Sequence, residues 1–287
     1  MTGRSAAPAA NAAPPPATAE RVLLVAGGDA AAFAAARWVA RRAQQHPIAV
    51  TLVAVPDDEH VDPVERTATV LRGAAPHLPL TVRMPRGPIR SVLSGVASRQ
   101  DLVVLGTNRV TAMTHVLPPT LAVRLAESVR RPVVLVPRGW QDDGGDVVVG
   151  VVDDGSDGDA IDFAVQEASA TGRCLRLAHV WRLSAVVTPV FPAAIDAAPI
   201  RDEHRRLLDR VADRVRAAAP ALEVSTTLVH GEPNVDVVRS GVGASLVVVG
   251  SHEYSAVDRV LLRSVGRALA ERPPCPVAIV PPRRTRS

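Results

Sequence analysis

The sequence predicts an α/β protein of two tandem, doubly wound domains, each built on a five-stranded parallel sheet. Three observations carry this prediction. Short, continuously apolar runs of Val and Leu alternate with amphipathic stretches, the pattern of parallel strands covered by helices on both faces. The pattern is duplicated, because residues 101–136, DLVVLGTNRVTAMTHVLPPTLAVRLAESVRRPVVLV, return as residues 245–280, SLVVVGSHEYSAVDRVLLRSVGRALAERPPCPVAIV. Each copy reads strand, loop, helix, strand. Its strand-to-helix loop therefore falls at the carboxyl ends of the strands, where open α/β sheets bind ligands.

The first twenty residues, MTGRSAAPAANAAPPPATAE, are mostly Ala and Pro with little to bury, and are read as a disordered arm. Their prolines interrupt any apolar stretch that would serve as a secretory signal. The first domain spans 21–137, with strands at about 21–26, 48–55 and 80–84 and helices at about 30–44, 64–75 and 89–98. The repeated stretch then supplies the fourth strand, fourth helix and fifth strand. Residues 138–146, RGWQDDGGD, form the linker by their Asp and Gly content. The second domain spans 147–281, its first strand taken from 146, with strands at about 146–152, 174–181 and 223–229 and helices at about 159–171, 201–219 and 234–241. In the helix at 201–219, His204, Leu207, Leu208, Val211 and Val215 share one side, and Arg205, Asp209 and Asp213 the other. Residues 282–287 form a basic tail.

Val22 and Val147, like Val55 and Val180, stand 125 apart (147 − 22; 180 − 55), whereas Pro76 and Pro220, Gly87 and Gly231, and Gly106 and Gly250 stand 144 apart (220 − 76; 231 − 87; 250 − 106). The difference of 19 (144 − 125) is one insertion in the second half, between Trp181 and about Ile200. Its Val186, Val187, Val190, Phe191 and Ile195 are expected to pack over the mouth of the second domain or against the first. The last strands of the two sheets, PVVLVP at 132–137 and PVAIVP at 276–281, would be apolar edges if left open. Pairing them with each other closes both, and predicts an internal pseudo-dimer of the two domains.

Composition narrows the function. At 287 residues each domain can bury its own core. All 33 cationic residues are Arg, so a P-loop lysine and Schiff-base chemistry are excluded. Aromatic residues are 2% of the chain, too few for a single-strand stacking platform, and 29 acidic residues interspersed with the arginines argue against nucleic acid as a partner. No apolar run reaches the ~18 residues of a membrane span. A cytoplasmic location is expected, with Cys174 and Cys275 as free thiols in apolar runs. The eight histidines lack H-x-x-H spacing, so no metal site is expected. His179 reads as a core histidine and His252 as an exposed loop residue.

The second half carries DGS after its first strand (Asp154, Gly155, Ser156), HVW closing its second (His179, Val180, Trp181) and G-x-P before its third helix (Gly231, Glu232, Pro233). It also carries VVVGS (Val247 to Ser251) and CPVAIVP (Cys275 to Pro281). In this order, over about residues 21–281, the chain resembles the universal stress protein family in its tandem form. The resemblance implies flavodoxin-like domains and, in the members that bind ATP, a loop G-x-x-G-x9-G-S/T between the fourth strand and helix. Glycines there let backbone N–H groups approach phosphate oxygens, and the Ser or Thr lies at a helix N-terminus, where the dipole favours anions.

The second half keeps Gly250 and Ser264 but has Glu253 and Arg263 at the other two glycine positions. The first half has Gly106, Arg109, Pro119 and Thr120, and Gly27, Gly28 and Asp29 stand where the second half has DGS. The resemblance thus implies an adenine-nucleotide site at Asp154, Val180, Gly250 and Ser264, with Arg263 able to clamp a phosphate through paired donors. The DGS turn is equally an ordinary N-cap for Asp154. A carboxylate at Glu253 about 5 Å from a phosphate would repel it by on the order of 3 kcal/mol at an effective dielectric near 20. ATP binding is therefore expected to be weak and confined to the second domain. No nucleophile or general base is positioned by these motifs. The expected function is that of a non-enzymatic stress-response regulatory or interaction protein with a partial nucleotide pocket, whose protein partner the residues do not specify. The alternative is an ATP-binding switch or slow ATPase that uses Asp154, Gly250, Arg263 and Ser264.

Overall fold

A computed structural model describes residues 19–27, 29–54, 62–107, 125, 128–152, 157–182, 197–251, 265, 268–269, 271 and 273–282. The first half contributes β1 (Glu20–Val25), α1 (Ala30–Ala43), β2 (Ile48–Val53), α2 (Asp62–Ala74), β3 (Leu80–Arg83), α3 (Ile89–Ala97), β4 (Leu102–Thr107) and β5 (Val133–Pro137). The second contributes β6 (Val147–Gly150), α4 (Gly158–Thr171), β7 (Leu175–Trp181), α5 (Ala198–Ala218), β8 (Val224–His230), α6 (Pro233–Ser240), β9 (Leu246–Gly250) and β10 (Val277–Val280). Between β4 and β5, Leu125, Ser128 and Val129 are helical, as are Val265, Ala268, Leu269 and Glu271 between β9 and β10.

The strands form one sheet in the order β3-β2-β1-β4-β5-β10-β9-β6-β7-β8. Within each half every pairing is parallel, which gives two flavodoxin-like halves. At the centre β5 and β10 pair antiparallel, with Val133 opposite Ile279, Val134 opposite Ala278 and Leu135 opposite Val277. The two last strands thus close each other's edges, as their apolar sequences require.

Side chains alternate between two cores because successive strand residues point to opposite faces. Val22, Leu24, Val134, Val149 and Ala278 pack under α1, α2, α4 and α5. Leu23, Val103, Val133, Val247 and Ile279 pack under α3, α6, Leu125, Val129, Val265 and Leu269. Both faces are covered, so the strands carry apolar residues at consecutive positions. Truncating one of the fully buried leucines, such as Leu24, would cost roughly 2–5 kcal/mol.

Helix ends follow local chemistry. Asp29 caps α1 by accepting from the Ala32 N–H at 2.9 Å, and α4 stops at Gly172, whose φ of 62° closes a left-handed cap. The helix α5 starts at Ala198, three residues ahead of the expected 201, because Pro199 fits a first turn that needs no N–H partner. It absorbs the end of the insertion. Val186, Val187, Val190, Phe191 and Ile195 lie outside the described residues, as do the arm to residue 18 and the tail from 283.

The stretch expected as a linker is fastened to both halves. Asp142 accepts from the Arg41 Nε at 2.7 Å and is hydrogen-bonded to Arg173. Burial works against ionisation of Asp142, yet Arg173 and Arg41 hold its carboxyl below the usual range. Gly145 passes so close to the Gly243 carbonyl that a Cβ would sit 1.9 Å from its oxygen, so only glycine fits there. Both cysteines are free, and burial pushes the Cys275 thiol up to about 12. No helix among the described residues is long and apolar enough to cross a membrane.

Candidate functional site

In each half the strand order reverses between the first and fourth strands, β1 and β4 or β6 and β9. Loops leaving the carboxyl ends of such a pair diverge to opposite faces and open a crevice. In the second half the crevice is bounded by Gly150 to Val152 after β6 and by Gly250 and Ser251 after β9. Backbone bonds carry both strands to its rim, with Val151 N–H donating to the Ala178 carbonyl at 2.9 Å and Ser251 N–H to the Val280 carbonyl at 2.8 Å.

Of the residues expected to hold a nucleotide, Gly250 closes β9 and is half-buried. Val180 lies one strand beyond β6, near the end of β7, and packs on the face covered by α6. The structure thus brings these two to the same end of the sheet, on strands flanking β6. Asp154, Arg263 and Ser264 lie outside the described residues, and so does Glu253.

Two residues at this crevice escaped the sequence reading. Asp157, only 2% exposed, turns its carboxylate back to accept from the Val152 N–H at 2.9 Å, spanning residues 153–156. It stands at the N-cap of α4 but makes no side-chain cap bond to that helix. The second carboxylate in DGSDGD was the available signal. The Ser251 hydroxyl is buried without a hydrogen-bond partner among the described residues. A buried hydroxyl left so is costly, by ~1–3 kcal/mol, unless something else satisfies it.

The matching place in the first half is built on Gly106, the counterpart of Gly250. There Asp29 does cap its helix, and the first turn of α1 lies directly on Gly106. A Cβ on Gly106 would meet the Ala31 carbonyl carbon and oxygen at 2.3 Å and the Ala32 nitrogen at 2.7 Å. Backbone fills the space between β4 and α1.

His179 and Trp181 alternate with Val180 and so point to the other face, towards α5. The Val151 carbonyl can only accept, so the His179 Nδ1–H donates to it at 2.8 Å. The other ring nitrogen, Nε2, lies 2.9 Å from His204 Nδ1 and shares one proton with it. Trp181 stacks on His204 with centroids 5.0 Å apart and contacts His230 at 4.5 Å. His179 is thus the core histidine expected, 2% exposed. His204, expected only to lie on the packed side of its helix, is what fastens α5 to the end of β7. Among the described residues no three His, Cys, Asp or Glu side chains converge as a metal site would require.

Comparison with known proteins agrees with this architecture. Residues 145–281 match the model of the universal stress protein family. The chain is 28% identical over 207 residues to a universal stress protein of Mycobacterium tuberculosis, a match that takes in 70% of this chain and 65% of the relative's length. It is 25% identical over 281 residues to a universal stress protein of Mycolicibacterium smegmatis, covering 87% of this chain and 93% of that one. The crystal structure of a universal stress protein from Archaeoglobus fulgidus has the same fold, with a TM-score of 0.67 at 14% identity over 91% of this chain and 98% of its own. With the duplicated sheet and the crevice at its switch point, these matches identify residues 145–281 as a domain of the universal stress protein family, and the chain as a whole is similar to proteins of that family.

Proposed function

We propose that this protein is a stress-response regulator of the cytoplasm that receives an adenine nucleotide, weakly, in its second half, and acts by interaction with a protein partner, not by catalysis. In this reading the chain is two domains, 21–137 and 147–281, joined by 138–146 as an internal pseudo-dimer. The first domain is a structural partner. One observation carries the reading: Gly250 and Val180 stand at the carboxyl end of the sheet beside the switch point, where the buried Ser251 hydroxyl has no hydrogen-bond partner among the described residues. A buried hydroxyl seeks a partner, and a helix start beside it favours an anion. A nucleotide phosphate answers both. Asp154, Val180, Gly250, Arg263 and Ser264 are the residues proposed to hold it.

Calorimetric titration with ATP, combined with mass spectrometry of any nucleotide that co-purifies, tests the proposal. One weak site per chain is expected, with no phosphate released on prolonged incubation. Two sites, or none at millimolar ATP, would refute it, and steady phosphate release would make the protein a slow ATPase instead.

A further inference from the structure

Under the 144-residue repeat Val134 and Ala278 are equivalent (278 − 134), and they face each other across the β5–β10 ladder. Their neighbours cross-pair in the matching way, so a pseudo-two-fold axis passes between them. Both side chains point to the face covered by α1 and α4. On that face, Arg42 and Glu167 are equivalent under the 125-residue repeat (167 − 42), and they touch. Arg42 Nη1 donates to Glu167 Oε1 at 2.5 Å and Oε2 at 2.6 Å, with side chains 6% and 7% exposed. Equivalent residues meet across a pseudo-two-fold only on its axis. The axis is therefore occupied by a buried cation from one half and a buried anion from the other.

The apolar surroundings do not distinguish the halves. Trp38 and Phe163 are also equivalent (163 − 38), both aromatic and both buried, and β5 and β10 are alike in their Val content. The charges do distinguish them. We infer that Arg42 and Glu167 form a pairing code: the central surface of the first half accepts a partner of second-half type, with a carboxylate on the axis, and each half rejects a second copy of itself. Self-pairing of second halves would bury two carboxylates with no cation, since Arg173 is engaged by Asp142. Buried like charges are costly, and specificity of this kind rests on the repulsion built against the wrong partner. Self-pairing of first halves is opposed less strongly, because each Arg42 keeps its own Glu20, bonded at 2.7 and 3.0 Å.

A single cysteine on the axis reports self-pairing between chains. In a full-length background with Cys174→Ser and Cys275→Ala, Ala278→Cys faces Val134 of its own chain in the native pairing. It faces another Ala278→Cys only when two second halves pair, at the close spacing of opposed antiparallel residues, which suits a disulfide. Chains are unfolded, refolded at rising concentration, oxidised, and separated by mass. The native charges are expected to leave interchain disulfides rare. Glu167→Gln should raise them several-fold, and the neutral set Arg42→Met, Glu20→Gln, Glu167→Leu should raise them roughly tenfold or more, because the repulsion against self-pairing and the attraction of the native pair are both removed. The same comparison with Val134→Cys should show a smaller rise. Circular dichroism establishes which variants refold. If the neutral set does not, Glu167→Gln decides alone. Interchain disulfides as frequent with the native charges as in the refolded neutral variants would overturn the inference.

Discussion

The two halves share a fold and differ at its ligand end. At the carboxyl ends of β1 and β4, the first turn of α1 rests on Gly106 and its amides are capped by Asp29. At the carboxyl ends of β6 and β9, Asp157 accepts from the Val152 N–H and makes no side-chain cap bond to its helix, and Ser251 keeps a buried hydroxyl unpartnered among the described residues. The strands are alike in both, so the sheet does not decide whether a crevice is open. Both halves also keep the strand-end glycine, Gly106 and Gly250, so what differs among the described residues is the aim of the carboxylate at the helix start.

The largest test of this contrast is Gly106→Val. Forcing a branched side chain against the Ala31 carbonyl should destabilise the protein by about 3 kcal/mol, at the upper end of ordinary overpacking. For a chain of this size that lowers Tm by roughly 6–12 °C in a thermal melt. ATP affinity below the melt should not change, and a loss of affinity would place a site in the first half. The next test is Glu253→Gly, expected to strengthen ATP binding by one to two orders of magnitude, about 1.4 kcal/mol per factor of ten. A calorimetric affinity equal to that of the unaltered protein would remove Glu253 from the account.

The two acids preceding the first helix of each half should then respond in opposite ways. Asp29→Ala should cost ~1 kcal/mol of stability and leave ATP binding alone, as loss of a helix cap does. Asp157→Ala should instead alter ATP affinity, because its bond to the Val152 N–H at the rim of the crevice is lost. Denaturant melts and titrations of both variants separate the two outcomes. The smallest effect is at Asp142. Its carboxyl is depressed when folded, so its stabilisation is present above the ordinary Asp value of about 3.9 and is lost as pH falls through the lower folded value. Asp142→Asn should flatten the acid limb of the stability profile in that window and leave the profile unchanged near neutrality in slope.

Much of the fold was legible because parallel strands buried on both faces are continuous Val and Leu runs, and because duplication let each half confirm the other. Strand and helix ends moved by a few residues where caps decided them, as at Ala198. Of the proposed site, the sequence marked backbone landmarks, and the fold puts Gly250 and Val180 at one end of the sheet on the strands flanking β6. Asp157 was hidden because a carboxylate ahead of a helix ordinarily caps it, and only the fold shows this one turned back to Val152. His204 and the Arg42–Glu167 pair were hidden for a related reason. Periodicity places residues on a helix face but does not say which face of which other helix comes to meet them. The repeat offset had already made Arg42 and Glu167 counterparts, and only the antiparallel junction turns counterparts into neighbours.

That junction also has a consequence for how the molecule presents itself to others. Because β5 and β10 run in opposite directions and each half is otherwise parallel, all first-half strands point one way along the sheet and all second-half strands the other. The two crevices therefore open at opposite ends of the sheet. On the proposal that only the second-half crevice takes a nucleotide, the molecule is polar in the manner of an arrow, and a nucleotide marks only its head. A partner sensitive to occupancy would have to dock at that end, while the opposite end would look the same to it in either state.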